Sequence, residues 1–192
     1  MPSVFVVSGP SGAGKGTVIS LVREALPDVV TSVSATTRAP RPGEADGRHY
    51  RFLSTPQFRR EIEAGNFLEW VDYGGNLYGT LRADVDAKLA QGYDVILEIE
   101  LQGARAIRRA MPDATLIFVA PPSATELARR LQGRATDSAA AIARRLEIAK
   151  AEIAAEHEFD VVVVNDEARR AAAEIIAVIA QRRDDETRHK GD

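Results

Sequence analysis

Residues 4–17 read VFVVSGPSGAGKGT, and the order of residue types in that stretch decides the fold. Val4, Phe5, Val6 and Val7 form an unbroken apolar run, as a strand buried on both faces requires. Gly9, Gly12 and Gly14 interrupt it, and residues 18–26 resume with the apolar spacing of a helix. Strand, glycine-rich loop and helix in that order make a phosphate cradle. The glycines let successive backbone N–H groups turn onto one anion, and the helix adds the positive end of its dipole. Lys15 completes the spacing GxxxxGK and supplies a mobile charge to the terminal phosphates. Gly9, Pro10, Ser11, Gly12, Ala13, Gly14, Lys15, Gly16 and Thr17 are therefore expected to hold a nucleoside triphosphate.

Outward from that loop, further apolar runs at 95–97, 116–120 and 161–164 show almost no polar alternation, the mark of a parallel sheet covered on both faces. Helical stretches at 18–26, 83–91, 102–111, 124–131, 138–155 and 168–181 lie between and after them. The expected fold class is α/β, a P-loop three-layer sandwich with a parallel core sheet. Residues 34–80 break this rhythm with short strands at 50–53, 67–73 and 77–80. A helix opened by Ser54, Thr55 and Pro56 and the turn Gly74-Gly75-Asn76 separate them. They are expected to form a small antiparallel lobe inserted in the core, where a second substrate would sit.

Composition narrows the function classes. The chain has 192 residues, no cysteine and a net charge of -3. A disulfide framework and a thiolate metal site are excluded, and nothing in the charge calls for nucleic acid. No apolar run approaches the ~18 residues of a membrane span, and no basic lead-in precedes the first strand, so a cytoplasmic protein without membrane partners is expected. The polar tail 182–192 is expected to fray.

The stretches SVSATTRAPRPGE (32–44), EWVDYGGNLYGT (69–80), ILEIELQGA (96–104) and VNDE (164–167) resemble, in order, the signatures of the guanylate kinase family. That resemblance implies transfer of the γ-phosphate of MgATP to GMP, and to dGMP, giving ADP and GDP. It also implies a core of 1–33, 81–121 and 156–192, a GMP-binding lobe of 34–80 and a helical lid of 122–155. Arg38, Arg41, Tyr50 and Tyr78 are then expected on the acceptor phosphate, where planar guanidinium forks suit a dianion. Glu69, Glu98 and Glu100 with Ser34 and Thr80 are expected to read guanine, whose N1 and N2 donors need carboxylates and whose O6 needs a hydroxyl. Adenine would leave those acids unpaired. Asn165 is assigned to the ATP side.

Three positions depart from the family pattern. Aspartates are common where Glu98 and Glu100 stand. Gly16 replaces the usual Ser or Thr after the lysine, so Mg²⁺ is expected on phosphate oxygens and waters, with no protein ligand assigned. In the lid the resemblance assigns Arg130 and Arg134 to the phosphates. Helical spacing puts Arg145 on the flank of the stripe Ile142, Leu146, Ala149 and Ile153, facing the cleft, and Arg144 opposite. Lys15, Arg38, Arg130, Arg134 and Arg145 are the expected catalytic cations. Trp70 is expected to pack behind the base pocket, and no histidine is given a role. The alternatives are another P-loop small-molecule kinase, which would lack the guanine-reading set, and a non-catalytic guanylate-kinase-like module, which would lack Lys15 or the lid arginines.

Overall fold

The computed structural model describes residues 2–132 and 139–188. The apolar runs become the strands β1 (Val4–Ser8), β7 (Asp94–Glu98), β8 (Thr115–Ala120) and β9 (Val161–Val164) of a parallel sheet. A fifth strand, β2 (Val29–Thr31), extends the sheet at its edge, giving the order β2-β7-β1-β8-β9. β2 adds to the four expected strands; at three residues, ending in threonine, it is too short to carry a periodic signal.

β1 is buried along its whole length, and its alternation feeds two cores. Phe5 and Val7 join Val18 and Val22 of α1 (Lys15–Ala25) and Ile175 and Ile179 of α7 (Ala168–Arg188) on one face. Val4 and Val6 join Val85 of α3 (Arg82–Ala90) and Ile107 of α4 (Leu101–Ala110) on the other. Helix, sheet, helix is the expected three-layer sandwich, each fully buried Val, Ile or Phe stabilising it by about 1.5–3 kcal/mol.

The inserted lobe holds β3 (Ala35–Thr36), β4 (Arg51–Phe52), α2 (Thr55–Glu63), β5 (Phe67–Tyr73) and β6 (Asn76–Leu81). Its sheet runs β4-β3-β6-β5 and is mixed, which corrects the expected antiparallel lobe: β3 pairs β4 in parallel, while β6 runs antiparallel to β3 and β5. The long excursion through residues 37–50 returns the chain to start β4 beside the start of β3, and a return of that length permits the parallel pairing. Ser54 caps α2 reciprocally with Gln57, and Phe58 stacks on Phe67 at 4.4 Å in the lobe's own small core. Leu68 of β5 packs instead into the main core, tying lobe to sandwich.

One side chain overturns an expectation. Trp70 is 45% exposed: Glu69 beside it points into the cleft, and strand alternation then sends Trp70 to solvent. Of the tail 182–192, α7 takes in the part up to Arg188, and residues 189–192 lie outside the described residues. Arg183 on that last stretch donates to Asp94 at 2.8 Å and pairs with Asp28, and Asp94 is buried and also accepts the Ser3 N–H. The helices α5 (Ala124–Gln132) and α6 (Ala139–Ala154) follow β8, and one 3-10 turn, Glu156–Glu158, leads from α6 to β9. Among the described residues no helix is long and apolar enough to cross a membrane.

Candidate active site

The strand ends Ser8, Glu98 and Ala120 lie together at the carboxyl edge of the sheet, where open α/β sheets take their ligands. The loop after β1 curls there. Gly9 has φ 139, and a Cβ on it would collide with the Val119 carbonyl; Gly14 has φ 88 and caps α1. Ala13 N–H donates to the Pro10 carbonyl, and Asn165 Nδ2 pins the loop from beneath through the Ala13 carbonyl at 2.6 Å. The first turn of α1 carries no acidic residue, so the positive helix end is left for an external anion. Lys15, 9% exposed, folds back to donate to the Gly9 carbonyl at 2.5 Å.

Facing the loop is a cleft of about 1470 Å³, above the ~300–1,000 Å³ usual for one small ligand, so there is room for two nucleotides. Pro10, Ser11, Gly12, Gly14, Lys15, Gly16 and Thr17 form one wall. Ser34, Arg41, Tyr50, Glu69 and Tyr78 of the lobe form the opposite wall, with Glu98 and Glu100 at the floor and Arg130 and Arg145 at the rim. Gly9, Ala13, Asn165, Arg38 and Thr80 do not line it. The first three build or brace the loop; the other two support groups that do. Arg134 lies outside the described residues.

Glu69 is seated by a β-bulge. The β5–β6 register shifts between Phe67 and Glu69, so Phe67, Leu68 and Glu69 are all buried and Glu69 stands opposite Thr80. Thr80, fully buried, donates its hydroxyl to Glu69 Oε1 at 2.7 Å. Its one O–H is thereby used on the acid rather than offered to a base. Burial pushes the Glu69 carboxyl up, against the hydrogen bonds from the Thr80 hydroxyl and backbone. Glu98 is also raised by burial, with Lys15 opposing. Its oxygens come within 3.9 Å of where a Cβ on Gly16 would stand. Among the described residues no cluster of three or more His, Cys, Asp or Glu could hold a metal.

Four features escaped the sequence reading. Glu44 grips Arg38 through both guanidinium arms, at 2.9 and 3.0 Å, and accepts the Arg41 N–H. Arg38, stacked 5.3 Å over the Tyr50 ring, is thus withheld from the cleft by an internal anion. That pairing holds the Glu44 carboxyl down at about 2. Arg145 reaches from α6 to the Ser11 hydroxyl at 2.8 Å, linking that helix to the glycine-rich loop, while Arg130 bridges Glu126 and the Asn165 carbonyl. Arg144 is exposed, as expected. Tyr73 lines the cleft beside the lobe residues. Glu152, 7% exposed, hydrogen-bonds to Glu100, and burial with that bond pushes it up to about 8. It stands three residues beyond buried Ala149 on the apolar stripe of α6, and an acid on such a stripe was the available signal.

Comparison with known proteins gives the family. The guanylate kinase family model matches residues 1–182. The chain is 57% identical over 176 residues to the guanylate kinase of Rubrobacter xylanophilus, covering 92% of each chain. It is 53% identical over 174 residues to that of Frankia casuarinae, covering 91% of this chain and 95% of the other. The crystal structure of guanylate kinase from Anaplasma phagocytophilum superposes with a TM-score of 0.77 at 31% identity, over 94% of this chain and 85% of that one. The chain belongs to the guanylate kinase family.

Proposed function

We propose the following roles for this chain's residues in the guanylate kinase reaction, in which the γ-phosphate of ATP passes to GMP to give ADP and GDP. The observation that carries them is a single cleft walled on one side by the amide-lined loop with Lys15 and on the other by buried, hydrogen-bonded Glu69. The loop amides and the α1 N-terminus hold the ATP phosphates. Lys15 leaves the Gly9 carbonyl for the terminal phosphates, and Arg130, Arg134 and Arg145 close over them from the lid, residues 122–155. In the lobe, residues 34–80, Arg41, Tyr50 and Tyr78 hold the GMP phosphate, and Arg38 joins them on release from Glu44. Glu69 and Glu100 accept from guanine N1 and N2, Ser34 donates to O6, and Thr80 fixes Glu69.

The attacking GMP phosphate oxygen is largely ionised at neutral pH, since the second pKa of a phosphate monoester is ~6, so no general base is needed. The oxygen forms its bond to the γ-phosphorus as the bond to the β,γ-bridging oxygen breaks, and that electron pair leaves on ADP. The protein aligns two polyanions, cancels their repulsion and excludes water. Glu98 and Thr17, which line the cleft beside Gly16, have hard oxygens that would hold a hydrated Mg²⁺ ion through its waters. It would neutralise charge on the phosphates.

The test is a coupled assay of ADP release with MgATP and each of GMP, dGMP, AMP, CMP and UMP. GMP and dGMP are expected to turn over far ahead of the others. Equal rates with AMP would remove the guanine-reading assignment.

A further inference from the structure

Gly103 sits in the first turn of α4, buried, with a φ outside the left-handed region, so its backbone conformation gives no reason for glycine. Inside a helix glycine is less favourable than alanine, which makes its presence a cost in need of a cause. The cause lies in the space beside it. A Cβ on Gly103 would stand 2.8 Å from Glu69 Oε2, 3.2 Å from Glu69 Cδ and 3.3 Å from Ile99 Cβ. By contrast Gly65, Gly74, Gly75 and Gly92 all have positive φ and nothing within 4 Å of such a Cβ.

The Glu69 carboxylate can give way only toward the open cleft that it lines. Its other oxygen is held by the Thr80 hydroxyl at 2.7 Å. Gly79, opposite Trp70 in the ladder, packs so closely that a Cβ there would stand 2.8 Å from the Glu69 carbonyl. Glu69 is thus clamped between β6 and the first turn of α4, whose positive end also favours its ionised form. Glu100 occupies the N-cap position of the same helix, so both acids assigned to the base rest on one helical turn.

We propose that Gly103 is a positioning residue for guanine selectivity: its missing side chain sets the depth at which Glu69 stands in the cleft. The proposal rests on the assignment of Glu69 to the guanine edge. A methyl group at 103 displaces the carboxylate, while the phosphate loop, built on other elements, is untouched.

The experiment is a double-mutant cycle of G103A, E69D and G103A/E69D, with kinetics against GMP and AMP, ATP binding by calorimetry and thermal melting. G103A is expected to raise the GMP KM roughly tenfold or more while kcat falls less, to narrow the preference over AMP and to leave ATP affinity unchanged. Its melting temperature should stay within a few degrees of the parent, since the helix propensity of alanine offsets part of the strain of the close contacts. E69D shortens the acid by one methylene and clears the added methyl, so it should cost less GMP affinity in the G103A background than alone. A GMP KM for G103A within about twofold of the parent, or independent effects of the two changes, overturns the proposal. If G103A fails to fold, recovery of folding in G103A/E69D supports the steric clash, and no recovery overturns it. A parent chain that does not prefer GMP over AMP would instead refute the Glu69 assignment, a separate outcome.

Discussion

The two walls of the cleft are built by opposite means. The loop proposed to hold the phosphates is nine consecutive residues, 9–17, whose backbone would supply the ligand groups, so the chemistry is written locally, with Asn165 bracing Ala13 and Arg145 reaching Ser11 from afar. The wall proposed to read guanine is assembled from β5, β6, the end of β7 and the first turn of α4, and its polar groups are side chains held by partners elsewhere in the chain. A backbone cradle serves any triphosphate; a clamped acid chooses one base. Affinity for the donor and choice of acceptor should therefore separate under mutation.

The largest expected effect tests the local wall. Lys15→Ala removes the side chain proposed to leave the Gly9 carbonyl for the transferred phosphoryl group, and kcat should fall by a factor on the order of 10³, the scale at which preorganised charge acts on a transition state. GMP binding by calorimetry should stay within a few-fold of the parent, because no lobe residue leans on Lys15. Unchanged turnover would break the comparison at its stronger side. Glu69→Ala comes next and tests the assembled wall. It unpairs guanine donors in a desolvated site, so the GMP KM should rise about a hundredfold and the preference over AMP should collapse, with ATP binding by calorimetry unaffected. A variant that lost ATP affinity to the same degree would show that the walls are not independent.

The same division explains what could be read from the chain before its structure. The loop, the apolar strands and the helical stripes are patterns between near neighbours, and residues 4–26 already contained strand, cradle and helix. The outward face of Trp70 was legible too, had strand alternation been applied from Glu69. What stayed hidden depends on partners distant in sequence. Arg183 keeps α7 helical to its end through Asp94, 89 residues away, and no window of the tail contains that acid. The parallel β3–β4 pairing depends on how a long excursion returns. The Thr80–Glu69 bond depends on a bulge that alternation alone would not place. Glu44, inside the quoted stretch 32–44, was passed over because its role appears only when Arg38 folds back on it.

The smallest expected effect concerns the seam between the walls, where α6 brings Glu152 against Glu100. The groups facing Glu152 are Glu100, which it hydrogen-bonds, Lys15, which opposes the rise, and Tyr73 of β5. Its folded-state pKa of about 8 lies above the model-peptide value of 4.5, so the native protein holds a proton that the unfolded chain gives up between those values. That contribution to stability is complete below about pH 4.5, declines as pH rises and is gone above about pH 8. Glu152→Gln keeps a hydrogen-bond donor toward Glu100 but cannot ionise. Melting curves of parent and variant should therefore nearly coincide near pH 5, and near pH 8 the variant should melt higher by roughly a few degrees for a chain of this size. If the gap between the two curves were the same at both pH values, Glu152 would be titrating as an ordinary surface acid. The seam would then be two side chains lying close without sharing a proton.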